Sequence, residues 1–422
     1  MGFASAYLDK HRFFQPFIID EPRKDTSLIV VIPCYNEPDI LDSLLSLYNA
    51  RRPSFPVEVI VVVNLPEGSG KAIFDQNRKT ILQVRQWSEG HSSTDFMVHA
   101  IDVPPFPSRH AGAGFARKTG MDEAVHRFSL SNNERGIIVS FDADSACDPS
   151  YFTELEKCFS RPEITGCTIY FEHPVYGEND STAIDQAITG YELYLRYFVQ
   201  AMRWAGFPYA FHTIGSCFAV NSGTYARQGG MNRKTAGEDF YFLHKIFPLG
   251  NFTELNTTRV MPSSRVSDRV PFGTGATMKR LTCDSQQKLQ AYPLESFEEL
   301  SSLFLRVPEF FGAGSKGVAE IVNKLPHCMA GYLERNNFAG AVAQMNKHSA
   351  GLLTFRKRFF VWFSALRLLQ FLNFARDNYR DDRPVTQAAA SLLERINVRS
   401  EAGICSLLLA YRNLQRQTTW KC

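Results

Sequence analysis

Leu28-Ile29-Val30-Val31-Ile32-Pro33 is apolar almost without interruption, the pattern of a strand covered on both faces in a parallel sheet. After Cys34-Tyr35-Asn36-Glu37-Pro38 comes a helical pattern with apolar Ile40, Leu41, Leu44, Leu45 and Leu47. A second strand of the same kind covers 57–63 and stops at Asn64, 70–88 read as helix, and 96–103 give a third strand. A Pro-rich loop at 104–107 leads through Gly112 and Gly114 into another helix to about residue 128, and a short β-branched strand follows at 137–141. Strands alternating with helices at this spacing predict βαβ units, hence a mainly parallel sheet flanked by helices and an α/β fold. Helix is expected again at 150–160 and 182–204, the latter with apolar Ile184, Ile188, Tyr191, Leu195, Phe198 and Met202 on one side. Short strands at 167–171 and 217–220 and a helix from Gly237-Glu238-Asp239 to Phe247 complete the alternating part. From about residue 280 the pattern is helical almost throughout, with no clear strand. The expected division is a lead-in at 1–26, a sheet domain at 27–279 and an α-helical domain at 280–422.

Composition narrows the function classes. The 422 residues are 44% hydrophobic and 21% charged, an ordinary globular balance with room for two domains. A net charge of +3 without long blocks of one sign argues against nucleic acid as a partner. Nine cysteines without a Cys-x-x-Cys pair, and no signal-like start, lead us to expect reduced thiols in a cytoplasmic protein. No apolar run approaches the roughly 20 residues that cross a bilayer.

Chemistry concentrates where strands end. Asp142 and Asp144 follow the strand at 137–141, and ligands of open α/β sheets gather beyond the carboxyl ends of strands. In an extended chain these two carboxylates point to the same side, and paired hard oxygen donors suit Mg²⁺ or Mn²⁺. Glu238-Asp239 at the start of a helix fits an acidic first turn favoured by the helix dipole, or a catalytic pair in which like charges raise one pKa. Gly112-x-Gly114 is no dinucleotide fingerprint, because Arg117 stands where the third glycine belongs. Arg265 and Arg269, in a polar glycine-rich stretch that runs to Gly275, suit a loop closing over a diphosphate. His212 and His244 are expected as packed residues, not ligands.

Four segments now fall in order: 31–37 (Val31-Ile32-Pro33-Cys34-Tyr35-Asn36-Glu37), 114–120 (Gly114-Phe115-Ala116-Arg117-Lys118-Thr119-Gly120), Asp142-Ala143-Asp144, and Gly237-Glu238-Asp239. This set resembles the family 2 glycosyltransferases, which have the Rossmann-like GT-A fold, over roughly residues 26–275. The resemblance implies an inverting hexosyltransferase that moves a sugar from a nucleotide-diphosphate donor, a UDP-sugar by preference, to a hydroxyl acceptor in one displacement. It implies that Pro33, Tyr35 and Glu37 line the nucleotide pocket and that Asn64 stands where the family usually has an aspartate. Arg117 and Lys118 would approach base and phosphates, Asp142 the ribose, and Asp144 the metal on the diphosphate, with Asp142 as a second ligand. Asp239 matches the catalytic base, with Glu238 beside it. A further metal ligand often follows the base in such enzymes; Asp268 is the nearest acidic candidate. The expected cofactor is Mn²⁺ or Mg²⁺, and the expected partners are the sugar nucleotide and a carbohydrate or small-molecule acceptor, with a lipid-linked acceptor left open.

Two other classes stay in view. A nucleotidyltransferase would want a Gly-rich basic loop directly after the first strand, which 34–38 is not. A catalytically silent sugar- or partner-binding protein would not need Asp142, Asp144 and Asp239 together. In the C-terminal part, 355–373 opens with Arg356-Lys357-Arg358 and is then aromatic-rich, with polar residues in a thin spiral. A helix apolar nearly all round is normally buried, so this segment is expected as a buried central helix.

Overall fold

A computed structural model describes residues 2–107, 112–175, 182–234, 237–265, 274–283 and 289–422. The chain forms two units, one of residues 1–185, 213–280 and 418–422, the other of 186–212 and 281–417. In the first, helix α1 (Ser5–His11) precedes strand β1 (Leu28–Cys34), α2 (Ile40–Asn49), β2 (Val57–Val63), α3 (Lys71–His91), β3 (Phe96–Asp102), α4 (Ala113–Leu130), β4 (Ile137–Ser140), β5 (Ala146–Cys147), α5 (Tyr151–Phe159) and β6 (Gly166–Phe171). The long helix α6 (Ala183–Trp204) leads away, and β7 (Phe218–Asn221), α7 (Ser222–Arg227), α8 (Glu238–Ile246) and β8 (Phe252–Met261) return. The eight strands form one sheet in the order β3-β2-β1-β4-β7-β6-β8-β5. β3, β2, β1 and β4 run parallel, β7 is antiparallel to both neighbours, β6 and β8 are parallel, and β5 is antiparallel to β8. This is the expected α/β architecture, parallel in its first half and mixed beyond β4.

The near-continuous apolar strands are buried on both faces: every residue of β2 and β4 is buried, and all of β1 but Pro33. Pro33 is tolerated in a central strand because β4 pairs β1 only as far as Val31, so no neighbour on that side needs its missing N–H. Chain order reverses at β1, with β2 on one side and β4 on the other. That switch point is where an open α/β sheet forms its ligand crevice.

The lead-in at 1–26 is more ordered than the sequence suggests. Helix α1 lies against α4, and the Tyr7 hydroxyl donates to Asp122 at 2.6 Å. Tyr225 (3.0 Å) and Lys118 (2.7 Å) also donate to Asp122, while the backbone N–H groups of Phe17 and Ile18 donate to Glu123 at 3.1 Å each. Helix α4 is thus buried on nearly all sides although it carries five charged residues there, Arg117, Lys118, Asp122, Glu123 and Arg127, each with a partner. Arg127 forms a fork with Glu58 of β2 and donates to the Asp20 carbonyl at 2.8 Å. Tyr7→Phe should cost about 1–3 kcal/mol, because it takes one donor from a buried carboxylate. A urea midpoint within error of the parent would contradict that.

In the second unit, helices follow one another: α9 (Thr274–Cys283, shared with the first unit), α10 (Leu294–Leu305), α11 (Ser315–Val322), α12 (His327–Arg335), α13 (Phe338–Lys347), α14 (Leu352–Trp362), α15 (Ala365–Asn378), α16 (Val385–Arg395) and α17 (Ile404–Gln417). The expectation of no strand is corrected by a two-residue antiparallel pair, Gln290–Ala291 with Arg383–Pro384. The single buried helix expected over 355–373 is also corrected. It is two helices, interrupted at Phe363 and restarted after Ser364 in extended conformation. Phe355, Phe359, Phe360 and Phe363 all go inward, whereas 356–358 stay exposed. Glu192 is fully buried here and accepts from Arg196 (2.8 Å) and from two nitrogens of Arg412 (2.8 Å each). The last residues, 418–422, belong to the first unit and bond to β8 through Glu254 N to Trp420 O and Cys422 N to Phe252 O, both 3.1 Å.

Candidate active site

Beyond the carboxyl end of β1, Asn36 takes a left-handed conformation (φ 50°) and turns Glu37 inward, where it is fully buried. Helix α3 holds this turn: Asn36 N donates to Asn77 Oδ1 at 2.8 Å, Asn77 Nδ2 donates to the Asn64 carbonyl at 2.9 Å, and Thr80 donates to the Glu37 carbonyl at 3.0 Å. No motif marks Asn77 and Thr80 in the sequence, and their one signal is a polar residue on the buried face of an amphipathic helix. Pro33 and Tyr35 are part-exposed beside the turn, and Asn64 is buried at the end of β2.

Beyond β4 the chain does not stay extended. Ser145 N donates to the Asp142 carbonyl at 3.1 Å, closing a turn. Asp142 and Asp144 therefore meet different partners: Arg117 Nη2 reaches Asp142 at 2.8 Å, and Arg265 Nη2 reaches Asp144 at 2.8 Å. Arg265 also grips Glu37 with both terminal nitrogens, Nη1 to Oε1 at 2.9 Å and Nη2 to Oε2. An arginine expected to reach a diphosphate here ties the β1 turn to the β4 turn.

Arg117 is 3% exposed and bridges two motifs, donating from Nη2 to Asp142 and from Nη1 to Glu238. Glycine makes the approach feasible. A Cβ on Gly114 would stand 2.3 Å from the Lys234 carbonyl oxygen and 2.9 Å from Glu238 Cβ, so α4 could not otherwise reach the start of α8. Gly237, immediately before α8, is left-handed at φ 68°. Asp239 follows in the first turn and accepts from Phe240 N at 2.7 Å. Its carboxyl is pushed up to about 7, first by burial and then by the neighbouring Glu238 carboxylate, with Arg117 pulling the other way. A carboxyl group poised near neutrality is suited to proton transfer.

The other sequence candidates are placed apart from this cluster or outside the described residues. Lys118, next to Arg117, turns to Tyr7 (3.1 Å) and Asp122 and is 6% exposed, so it serves the anchorage of α1. Arg269 and Asp268 lie outside the described residues. Among the described residues no three His, Cys, Asp or Glu are grouped to hold one metal ion. His244 is packed between the rings of Phe240 and Phe247, and burial takes its pKa down to about 3. No helix among the described residues is long and apolar enough to cross a membrane.

No family model matches the chain, and no curated protein matches it in sequence. Solved structures similar to it include S. aureus TarS 1–349, alone and in complex with UDP-GlcNAc, each 12% identical with a TM-score of 0.38 over 80% of this chain and 91% of that one. Another is GalNAc-T7 with UDP, GalNAc and Mn²⁺, 12% identical, with a TM-score of 0.36 over 68% of this chain and 51% of that one. Likenesses this distant say nothing about substrate or chemistry.

Proposed function

We propose that the first unit is a glycosyltransferase that binds a nucleotide-diphosphate sugar beyond the ends of β1 and β4. It moves the sugar with inversion, in a single displacement, to an acceptor hydroxyl. The observation that carries this reading is the ion-pair chain through Arg117, which draws Asp142 and Glu238 together beside Asp239. Three motifs far apart in sequence thereby become one site, with one carboxyl group held near neutral pKa. Asp239 is the base that takes the acceptor proton as the hydroxyl attacks. Burial first, and then Glu238 held by Arg117, keep the Asp239 pKa high. Asp142, Pro33 and Tyr35, each part-exposed, face the donor, a UDP-sugar in this reading, and the buried Glu37 and Asn64 support the turns beneath it.

Hard oxygen donors for a divalent cation are present, although among the described residues no three are grouped on one ion. Around the two guanidiniums of Arg117 and Arg265 stand five carboxyl groups, Glu37, Asp142, Asp144, Glu238 and Asp239, an excess of hard oxygen donors. Asp142 and Asp144 are the open ones among the four that pair with these arginines, with side chains 38% and 29% exposed against 0% and 6% for Glu37 and Glu238. They are the residues that would hold Mn²⁺ or Mg²⁺. When bound, the ion supplies Lewis-acid stabilisation of the departing diphosphate. The Nε groups of Arg117 and Arg265 are buried and have no acceptor among the described residues.

The experiment is a calorimetric titration of UDP-, GDP- and dTDP-sugars with and without Mn²⁺, repeated on Asp144→Ala. The parent should bind one sugar nucleotide tightly only with metal. Loss of an outer-sphere partner alone typically costs ~10–100-fold in metal affinity, and removing a direct ligand should cost at least that. Equal nucleotide affinity of parent and variant in Mn²⁺ would remove Asp144 from the metal site.

A further inference from the structure

From Arg335 to Arg376 the chain carries seven Lys or Arg and no Asp or Glu, whereas the whole protein is only +3, so the rest is net acidic. Charge this segregated comes to the surface on α14. Its inner face buries Phe355, Phe359 and Phe360, and Phe363 just beyond its end is buried too. Its outer face shows Leu353, Lys357 and Val361 at successive four-residue steps, with Thr354 and Arg358 alongside and Arg356 exposed at the margin. Leu353 is 84% exposed and Val361 58%. Arg356, Lys357 and Arg358 have no carboxylate partner among the described residues; Arg356 merely lies over the Phe360 ring, 6.0 Å from its centre. Phe311, in ring contact with Phe355 at 5.8 Å and 38% exposed, extends the apolar strip.

A single exposed leucine means nothing, and unpaired cations on a surface are common. The combination is specific. Aliphatic side chains alternating with cations along about 12 Å of helix, at 1.5 Å per residue, present apolar and positive groups to the same plane. A nucleic acid would be met by cations with exposed aromatic side chains for bases, and the large side chains exposed on α14 beside its cations are aliphatic, Leu352, Leu353 and Val361. A bilayer rich in anionic headgroups satisfies both kinds of group at once, phosphates for the cations and the acyl boundary for the leucine and valine. We infer that α14 docks the second unit onto an anionic membrane surface as a peripheral contact. This is independent of the transfer chemistry proposed above and is tested without it.

The test is flotation of the full chain with vesicles of phosphatidylcholine, or of phosphatidylcholine mixed equally with phosphatidylglycerol. The protein should float only with the mixed vesicles, and less as salt is raised. Reversing the three cations together (Arg356→Glu, Lys357→Glu, Arg358→Glu) should lower partitioning by on the order of a hundredfold or more. Leu353→Ser with Val361→Ser should also weaken it. All five positions are exposed, so melting temperatures should match the parent; if the triple variant unfolds, Lys357→Glu alone carries the charge test. Absence of flotation with anionic vesicles overturns the inference. So does parental flotation of the charge variant, or parental flotation of the Leu/Val variant together with displacement by RNA, which would make the surface a polyanion site.

Discussion

Asp239→Asn is expected to leave donor affinity close to that of the parent and to lower kcat by roughly two orders of magnitude or more, the loss typical of a general base. Asparagine keeps the acceptor that Phe240 N needs, so the first turn of α8 should be preserved. Two further readouts separate a base from a residue that merely shapes the site. The base works ionised, so with a carboxyl pKa of about 7 the parent's kcat/KM should rise with pH up to about 7 and then level. The asparagine variant should lose that limb. Stability should move the opposite way. The folded-state pKa is raised from 3.8 to about 7, so between these values the native state holds more protons than the unfolded chain. Stability therefore falls as pH rises through that window, and the variant lacks the fall. At pH 8 Asp239→Asn should melt higher than the parent. Parental turnover in the variant would place the base elsewhere, Glu238 first. A product that keeps the donor's anomeric configuration would exclude single displacement.

How far the sequence announces this arrangement depends on whether the determining contact is local. β1, β2 and β4 are legible because a strand covered on both faces must be apolar throughout, and no compensating information is needed. Helix α1 is not legible. It spans seven residues, and it is held by Tyr7 reaching Asp122, 115 positions away. α4 is predicted as a helix, yet its burial runs against its composition. Nothing local says that Glu58, His99 and Asp20 will surround Arg127, or that Lys118 will face Tyr7 and not a phosphate. Nor does any local period mark the break at 363–364, because Phe355, Phe359, Phe360 and Phe363 would share one face of a straight helix, within an arc of about 140°.

At the site, the motifs name the residue types but not their pairing. Asp142 and Asp144 look like twin ligands if the chain stays extended, whereas the turn closed by Ser145 sends them to separate arginines. Adjacent Glu238 and Asp239 imply one raised pKa without saying whose, and burial, which the sequence does not show, is the larger cause at Asp239. Arg265 appears in the sequence as a loop residue and in the fold as a strap between Glu37 and Asp144. These are consequences of tertiary contact, and no period or spacing encodes them.

Arg117→Met should be the most damaging single substitution in the site. The guanidinium is 3% exposed, and its two terminal nitrogens serve carboxylates from different motifs, Asp142 and the nearly buried Glu238. A methionine of similar length fills the space but leaves Glu238 charged, desolvated and next to Asp239. Removing one partner of a buried ion pair typically costs about 3–5 kcal/mol, because the other charge is left uncompensated. Most of that loss should come from the orphaned carboxylate and not from the missing contact. Glu238→Gln in the same chain should therefore recover a large part of it, so that the double variant is more stable than Arg117→Met alone. Activity should not return with stability, because the cation between the Asp142 turn and the base is still missing. Arg117→Lys should not rescue either, since one ammonium cannot reproduce a fork whose arms point at two acceptors. Urea midpoints of the four members of this cycle measure the coupling directly. A cost below about 1 kcal/mol for Arg117→Met, in the range of exposed pairs, would mean that the bridge is solvent-screened and does not organise the site.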